Sequence, residues 1–306
     1  MVKNSHLNRA VEKLVIIGWG RMGITHTSII NGLYPGSFEF IVVEPNLKVS
    51  RITRKTLGYK VVSDIDEINV HDAVILITTP PSIHSSLCEN VLSRGARSIF
   101  IEKPFGLFDR RINDDPRISV GYVLRFSEVS QKLKAIIREE GCSKISLDYS
   151  SHTLTKPPKG WRNTVYGGVL NEMGSHLIDL MLYLGGSRDF KVLNSTIQSI
   201  ISEVDDIVAV KGLLGEIEIE LSLNWVNPDY RKPVWSGFIE TSKQTVRFDQ
   251  QSIDGGFEAA SVDYYVRGRD FSLQMKHFIE NDNSIICNSQ DANAVHDVIT
   301  EIKEKA

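Results

Sequence analysis

Four groups of residues in this chain are of kinds and spacings that could do chemistry. The first is a glycine loop, Gly18-Trp19-Gly20-Arg21-Met22-Gly23. Gly18 permits a tight turn, Gly20 lets backbone approach a pyrophosphate, and Gly23 lets the next helix pack closely on the strand before it. The start of that helix offers unpaired N–H groups and partial positive charge to phosphates. The second is Glu44, about 20 residues past the loop, where a carboxylate accepts bonds from the adenosine ribose. It also repels a 2′-phosphate, so NAD is favoured over NADP, with Lys48 and Arg51 working against the repulsion. The third is Lys103, in Glu102-Lys103-Pro104 at the carboxyl end of an apolar run, the edge at which open α/β sheets bind ligands. The fourth is a stripe of Glu172, His176, Asp179 and Tyr183 along one face of a helical run that starts at Leu170. Leu170, Met173, Leu177, Leu180, Met181 and Leu184 occupy the opposite face. On an arbitrary helix such a stripe is only a solvated face. Here it follows the loop Lys159-Gly160-Trp161-Arg162.

The elements that must position these groups come in two textures. From Leu14 to about residue 121, short apolar runs (Leu14–Ile17, Phe38–Val43, Val61–Val62, Ala73–Ile77, Ser98–Ile101, Ser119–Val123) alternate with helical stretches. Runs buried on both faces and separated by helices imply a doubly wound parallel sheet. From residue 122 onward, after a helix over 128–139, apolar–polar alternation dominates. It is clearest over 216–225, where Ile217, Ile219, Leu221, Leu223 and Trp225 share one face and Glu216, Glu218 and Glu220 the other. The expected fold is α/β: a Rossmann-type domain over 1–121, then an α+β domain over 122–306 with a large open, mostly antiparallel sheet. The final helix is expected to pack back on the first domain. The sheet's polar face has no obvious helix to cover it, which predicts a homodimer or homotetramer built through that face.

Bulk composition narrows the function. A net charge of −3 carries no electrostatic footprint for nucleic acid or an anionic membrane. No run approaches the length of a membrane span, and the polar first residues have no apolar signal core. Cys88, Cys142 and Cys287 are far apart and lack metal-ligand spacing, so no metal site is expected. Cytoplasmic localisation is the expectation that fits three unpaired cysteines.

The motifs together resemble the Gfo/Idh/MocA family, that of glucose-fructose oxidoreductase, inositol dehydrogenase and MocA. The glycine loop with His26, Thr79-Pro80-Pro81 with His84, Glu102-Lys103-Pro104, and the stretch from Tyr166 to His176 with Asp179 carry the resemblance in order, over nearly the whole chain. It implies an NAD(P)-dependent oxidoreductase that moves a hydride to or from a hydroxyl-bearing carbon of a sugar, nucleotide sugar or cyclitol. It places Thr79, Pro80, His84, Glu102 and Lys103 beside the cofactor, and Lys103, His176 and Glu172 in catalysis. Histidine's ordinary pKa suits it to take the hydroxyl proton. Lys103 would then bond the same oxygen, and Glu172 would orient the imidazole. Trp161, Arg162 and Asp179 are candidates for substrate contact, and Trp161 has an equal claim as a core or interface residue. The alternative function is a non-catalytic dinucleotide-binding sensor or scaffold. Three departures stand out: Glu172 where the family has aspartate, Tyr166 where it has a third glycine, and a short Arg- and Asp-rich stretch after Pro104 where it has a helix.

Overall fold

A computed structural model describes residues 11–105, 114–254, 257–258 and 265–306. The stretch that follows Pro104 lies mostly outside the described residues. Strand β1 (Glu12–Ile17) leads into helix α1 (Arg21–Leu33), followed by β2 (Phe38–Val43), α2 (Leu47–Leu57), β3 (Lys60–Val62), β4 (Val74–Ile77), α3 (His84–Ser93), β5 (Ser98–Ile101) and β6 (Ile118–Val120). Both faces of these strands are buried, as continuous apolar runs require. Val15, Ile17, Ile75 and Ile101 enter one core, and Leu14, Ile16, Val42 and Phe100 the other. β1 pairs in parallel with β2 on one side and β4 on the other. The strand order therefore reverses at β1, and the crevice beyond β1 and β4 is where this architecture binds ligands.

Helix α4 (Glu128–Glu140), capped by the Ser127 side chain, leads into the second sheet. It is built from β7 (Lys144–Ser150), then, after helix α5 (Ser175–Gly185), from β8 (Phe190–Gln198), β9 (Ile207–Leu214), β10 (Ile217–Asn224), β11 (Val234–Glu240), β12 (Thr245–Asp249), β13 (Ser252–Ile253) and β14 (Phe257–Glu258). The spatial order is β14-β13-β12-β11-β7-β10-β9-β8. Only β7–β10 is a parallel pair, so the expected mostly antiparallel sheet is present. The alternation read over 216–225 holds: Ile219, Leu221, Leu223 and Trp225 are buried while Glu218 and Ser222 are exposed. On the open face Glu220 reaches both Lys144 (3.2 Å) and Lys211 (3.5 Å).

The chain then returns to the first sheet more fully than a cut at 121/122 allows. Helix α6 (Tyr265–Glu280) packs on α1. Strand β15 (Cys287–Asn288) extends the first sheet antiparallel to β6, and helix α7 (Ser289–Glu304) packs on α5 and β8. The helix that docks on the first domain is thus mainly α6, with α7 serving the second. A two-residue strand carries no usable periodicity, which is why sequence reading passes over β15.

Candidate active site

The three loop glycines have three different surroundings. Gly18 has φ +94°, and a Cβ there would sit 3.0 Å from Thr79. At Gly23 a Cβ would come within 2.4 Å of the Gly18 carbonyl oxygen, so the helix packs against the loop only without one. At Gly20 a Cβ would meet nothing within 4 Å, because the loop opens there into space. No side chain caps α1 and its first turn holds no acid, so the N–H groups of that turn are left for an outside acceptor. These features border a cleft of about 450 Å³ lined by Gly18, Gly20, Glu44, Asp64, Thr79 and Pro80 among others.

Glu44 is held in place by backbone. Its Oε2 accepts from the Trp19 N–H (3.1 Å) and its Oε1 from the Asn46 N–H (2.8 Å). Trp19 itself is 7% exposed and meets Tyr59 edge-on, so this residue serves the cleft through its backbone and its indole belongs to the core. Thr79 lines the cleft, and its buried Oγ1 has no hydrogen-bond partner among the described residues. Such an orphaned group, the uncapped helix start and the open Gly20 together fit a dinucleotide. Ser63 and Asp64, after β3, also line the cleft and escaped sequence reading; the end of a third parallel strand was the available signal.

His84 needs a correction. Its ring is fully buried, with Nε2 2.8 Å from the Thr79 carbonyl oxygen and Nδ1 3.1 Å from that of Pro104. Burial pushes its pKa below the ordinary histidine value, and the two carbonyls pull it back. Each ring nitrogen faces a backbone carbonyl, and the neutral ring donates to one of them, so His84 ties the Thr79 loop to the Lys103-Pro104 turn and is not among the residues that line the cleft. His26 plays a similar part for Glu102: its Nε2 is 2.6 Å from Glu102 Oε1. Burial works against the Glu102 carboxylate, but the His26 bond and the neighbouring charges prevail and hold its pKa low.

Lys103 lies across from the second domain. Its ammonium donates to the Glu172 carbonyl oxygen at 2.5 Å. Burial pushes its pKa below the ordinary lysine range, opposed by the Glu172 and Glu102 carboxylates. Glu172 sits in a π-helical turn, Leu170–Gly174, that runs directly into α5. Widening a turn to i+5 bonding loosens a carbonyl from its usual donor, and the lysine supplies one. Asp205 anchors the start of this turn: its Oδ2 accepts from the Leu170 N–H (2.6 Å) and its carbonyl from the Val169 N–H (2.8 Å). Burial pushes the Asp205 carboxyl up to about 6. Gly168, at φ +91°, is required here, since a Cβ would lie 2.2 Å from the Asp205 carboxylate.

The polar stripe is only partly what its spacing suggests. His176 is half-buried beside Tyr122, ring centroids 5.9 Å apart. The Glu172 carboxylate pairs with Arg162 at 3.2 Å, and the Arg162 guanidinium lies 5.3 Å from the Trp161 ring centre. Lys103, Glu172, Trp161 and Arg162 therefore form one connected group, with His176 on the next turn of the same helical run. Asp179 is a second correction. It is fully buried and accepts from Arg125 at 2.7, 2.9 and 3.1 Å, so it cannot touch substrate. Arg125 also bonds Asp291 (2.8 Å), which in turn pairs with Arg188 (2.6 Å). Among the described residues no cluster of three or more acidic, histidine or cysteine side chains could hold a metal, and no helix is long and apolar enough to cross a membrane.

Residues 13–112 match the family model described as "Oxidoreductase family, NAD-binding Rossmann fold", GFO_IDH_MocA. The chain is 27% identical to the rhizopine catabolism protein MocA of Rhizobium meliloti, over 60% of this chain and 61% of that one. It is 23% identical to an inositol 2-dehydrogenase of Corynebacterium glutamicum, over 56% and 54%. These matches span little more than half the length of the two relatives. Among solved structures, GenD2 from gentamicin A biosynthesis in complex with NAD superposes with a TM-score of 0.78, 16% identity, 100% of this chain and 97% of that one. At that identity the likeness establishes the fold, a Rossmann-type domain joined to an open-sheet domain.

Proposed function

We propose, from the match of residues 13–112 to the GFO_IDH_MocA model and the likeness to MocA and an inositol 2-dehydrogenase, that the protein is an NAD-dependent dehydrogenase or reductase of the Gfo/Idh/MocA kind. Its reacting group would be a CH–OH or C=O carbon of a sugar, nucleotide sugar or cyclitol. The observation that carries the reading is the bond from Lys103, at the carboxyl edge of the Rossmann sheet, to the helical run that bears Glu172 and His176. That bond supports the reading because it joins acid/base groups of the second domain to the strand-end edge at which open α/β sheets bind ligands. A sensor or scaffold has no use for a half-buried lysine and an imidazole at that seam.

Gly18, Gly20, Gly23 and the start of α1 would hold the pyrophosphate, and Glu44 the adenosine ribose. The nicotinamide would supply hydride acceptance and donation. The Glu44 carboxylate favours NAD over NADP, since a 2′-phosphate would face both Glu44 and Asp64. His176 takes the hydroxyl proton in oxidation and returns it in reduction, while Lys103 bonds the same oxygen and steadies its developing charge. Glu172 supports the group by holding Arg162. A second assignment, with Lys103 as the proton carrier, is favoured by the burial that lowers the lysine's pKa.

The test is turnover with a panel of sugars and cyclitols by Lys103→Ala and His176→Ala. Each is expected to retain NAD binding and lose about 10²–10⁴-fold in kcat. Near-normal rates in both would end the reading, and a loss confined to Lys103→Ala would give the proton to lysine. Assembly as a homodimer or homotetramer through the open face of the second sheet belongs to the same proposal, and light scattering that shows a monomer would remove it.

A further inference from the structure

The connection from β8 to β9 is folded around one carboxylate. Asp206 is fully buried. Its Oδ2 accepts from the backbone N–H groups of Ile200 (2.6 Å), Ile201 (2.5 Å) and Ser202 (3.0 Å). Its Oδ1 accepts from the Ser202 hydroxyl (2.5 Å) and the Trp225 indole N–H (2.8 Å). Burial works against this charge, but the bonds from Ser202, Ile201 and Trp225 prevail and hold its pKa low. So many bonds to one ionised side chain make the loop a firm mount. The loop also reaches the rim loop of the site, the one that carries Trp161 and Arg162, where Glu203 N–H donates to Asn163 Oδ1 (3.3 Å).

Asp205, the residue before it, is used differently. It is buried and faces the start of the helical run that begins at Gly168. The first N–H groups of a helix have no partner within it. Here the carbonyl of Asp205 takes up that of Val169 (2.8 Å) and its carboxylate that of Leu170 (2.6 Å). The helix dipole also favours a carboxylate at this end. The approach is so close that Gly168 has no room for a Cβ beside the Asp205 side chain. Beyond these contacts the same run presents the Glu172 carbonyl to Lys103 (2.5 Å) and, one turn on, His176. The segment held in this way, Gly167-Gly168-Val169-Leu170, carries no titratable side chain. The charges acting on Asp205 are Lys303 of α7, which favours the carboxylate, and Asp206, which opposes it.

We propose that Asp205 is a positioning residue for the reaction. Mounted on the loop that Asp206 builds, its carboxylate fixes where the helical run begins. It thereby fixes where the Glu172 carbonyl and the His176 ring stand relative to Lys103. The inference rests on the dehydrogenase reading for the chemistry being positioned, but not for the clamp itself. Small displacements of reacting groups are costly to rate, so the clamp acts on kcat and leaves the pyrophosphate loop, on another element, untouched.

The experiment compares the full chain with Asp205→Ala and Asp205→Asn, each saturated with NADH. Alanine removes the acceptor, whereas asparagine keeps a neutral one in nearly the same shape. Amide hydrogen exchange at Leu170, read at pH 8 without substrate, reports the clamp directly. It should quicken about tenfold or more in Asp205→Ala and several-fold in Asp205→Asn, whose uncharged oxygen accepts more weakly. In turnover, kcat should fall about 10–100-fold in Asp205→Ala and a few-fold in Asp205→Asn, with NADH affinity unchanged in both. The basic side of the pH–rate profile should move down in Asp205→Ala, since burial lowers the Lys103 pKa and the Glu172 carboxylate that opposes it is no longer held in place. Stability should follow a different order. Burial raises the Asp205 carboxyl to about 6, so its contribution to stability is lost as pH rises through that value. Asp205→Asn should therefore melt no lower than the unmodified protein at pH 8. Should Asp205→Ala fail to fold, the asparagine variant decides alone, because faster exchange without lower melting marks a clamp and not a prop. Unchanged exchange at Leu170, or melting that moves while kcat and the pH profile stay fixed, overturns the proposal. No turnover of any sugar by the unmodified protein would sink the dehydrogenase reading, and the exchange result would then decide the clamp by itself.

Discussion

Arg125–Asp179 and Arg162–Glu172 are both arginine–carboxylate pairs, and both tie the same helical run to its surroundings. The first is 5% and 0% exposed, and its arginine makes three contacts to the aspartate. In the second the arginine is 52% exposed and makes a single contact of 3.2 Å. A desolvated pair is costly to form and still more costly to break from one side, whereas an exposed pair contributes little to stability. The comparison teaches that residue type and helical spacing do not separate a core carboxylate from one left accessible at the candidate site. What separates them is whether a cation from another element is already buried against it.

The largest effect should come from breaking the first pair. Arg125→Met leaves the Asp179 charge in the core without its partner, and should cost about 3–5 kcal/mol in urea unfolding. Asp291 and Arg188 would lose their anchor as well. Adding Asp179→Leu should restore much of that loss, because paired apolar replacements remove the stranded charge. If Arg125→Met alone cost less than about 1 kcal/mol, the buried network would not be what joins α5 to the returning C-terminal segment.

The same contrast explains what the sequence made legible. The parallel sheet could be read because both of its faces are buried, so β1, β4 and β5 are unbroken apolar runs. The glycine loop and Glu44 could be read because their spacing is set by one ligand and one short connection. Lys103 could be read from its place at a strand end. Asp179 was misread because its partner Arg125 stands far away in sequence, between Leu124 and Phe126. An arginine flanked by two apolar residues was a usable warning of a buried charge. Asp205 and the π-helical turn were not legible, since one is a contact across the fold and the other a change of helical pitch. Gly168 is explained only by the Asp205 carboxylate that fills the space beside it.

A third carboxylate sharpens the comparison from the other direction. Asp270, on α6, is 7% exposed, and its Oδ1 has no hydrogen-bond partner among the described residues. The adjacent Arg269 is spent on Glu128. Burial pushes the Asp270 carboxyl up from 3.8 to about 7, with Arg269 opposing and Glu128 adding to the rise. A raised carboxyl binds its proton more tightly in the folded state. Its contribution to stability is thus fully present below the unfolded value near 4 and is lost as pH rises through about 7. Asp270→Asn should therefore stabilise the protein at pH 8, by at most about 4 kcal/mol and by less if the surroundings relax. At pH 4 it should change little. Equal melting shifts for the variant at both pH values would show that the carboxyl is not held protonated.

The smallest effect on stability, and the most telling for function, should come from Arg162→Ala. Its guanidinium is half exposed, so its pair with Glu172 is worth about 0–1 kcal/mol and melting should hardly move. The same pair fastens the rim loop to the helical run that carries Glu172, and the guanidinium lies over Trp161. Losing it frees the loop and removes a cation that now disfavours the Lys103 ammonium. Removal should therefore raise the lysine's pKa and shift the basic side of the pH–rate profile upward, while KM for substrate increases several-fold. Arg162→Lys should recover part of the KM, since a lysine keeps the charge but not the planar contact. A loss of several kcal/mol in stability with KM unchanged would place Arg162–Glu172 in the same class as Arg125–Asp179, and the distinction between the two pairs would fall.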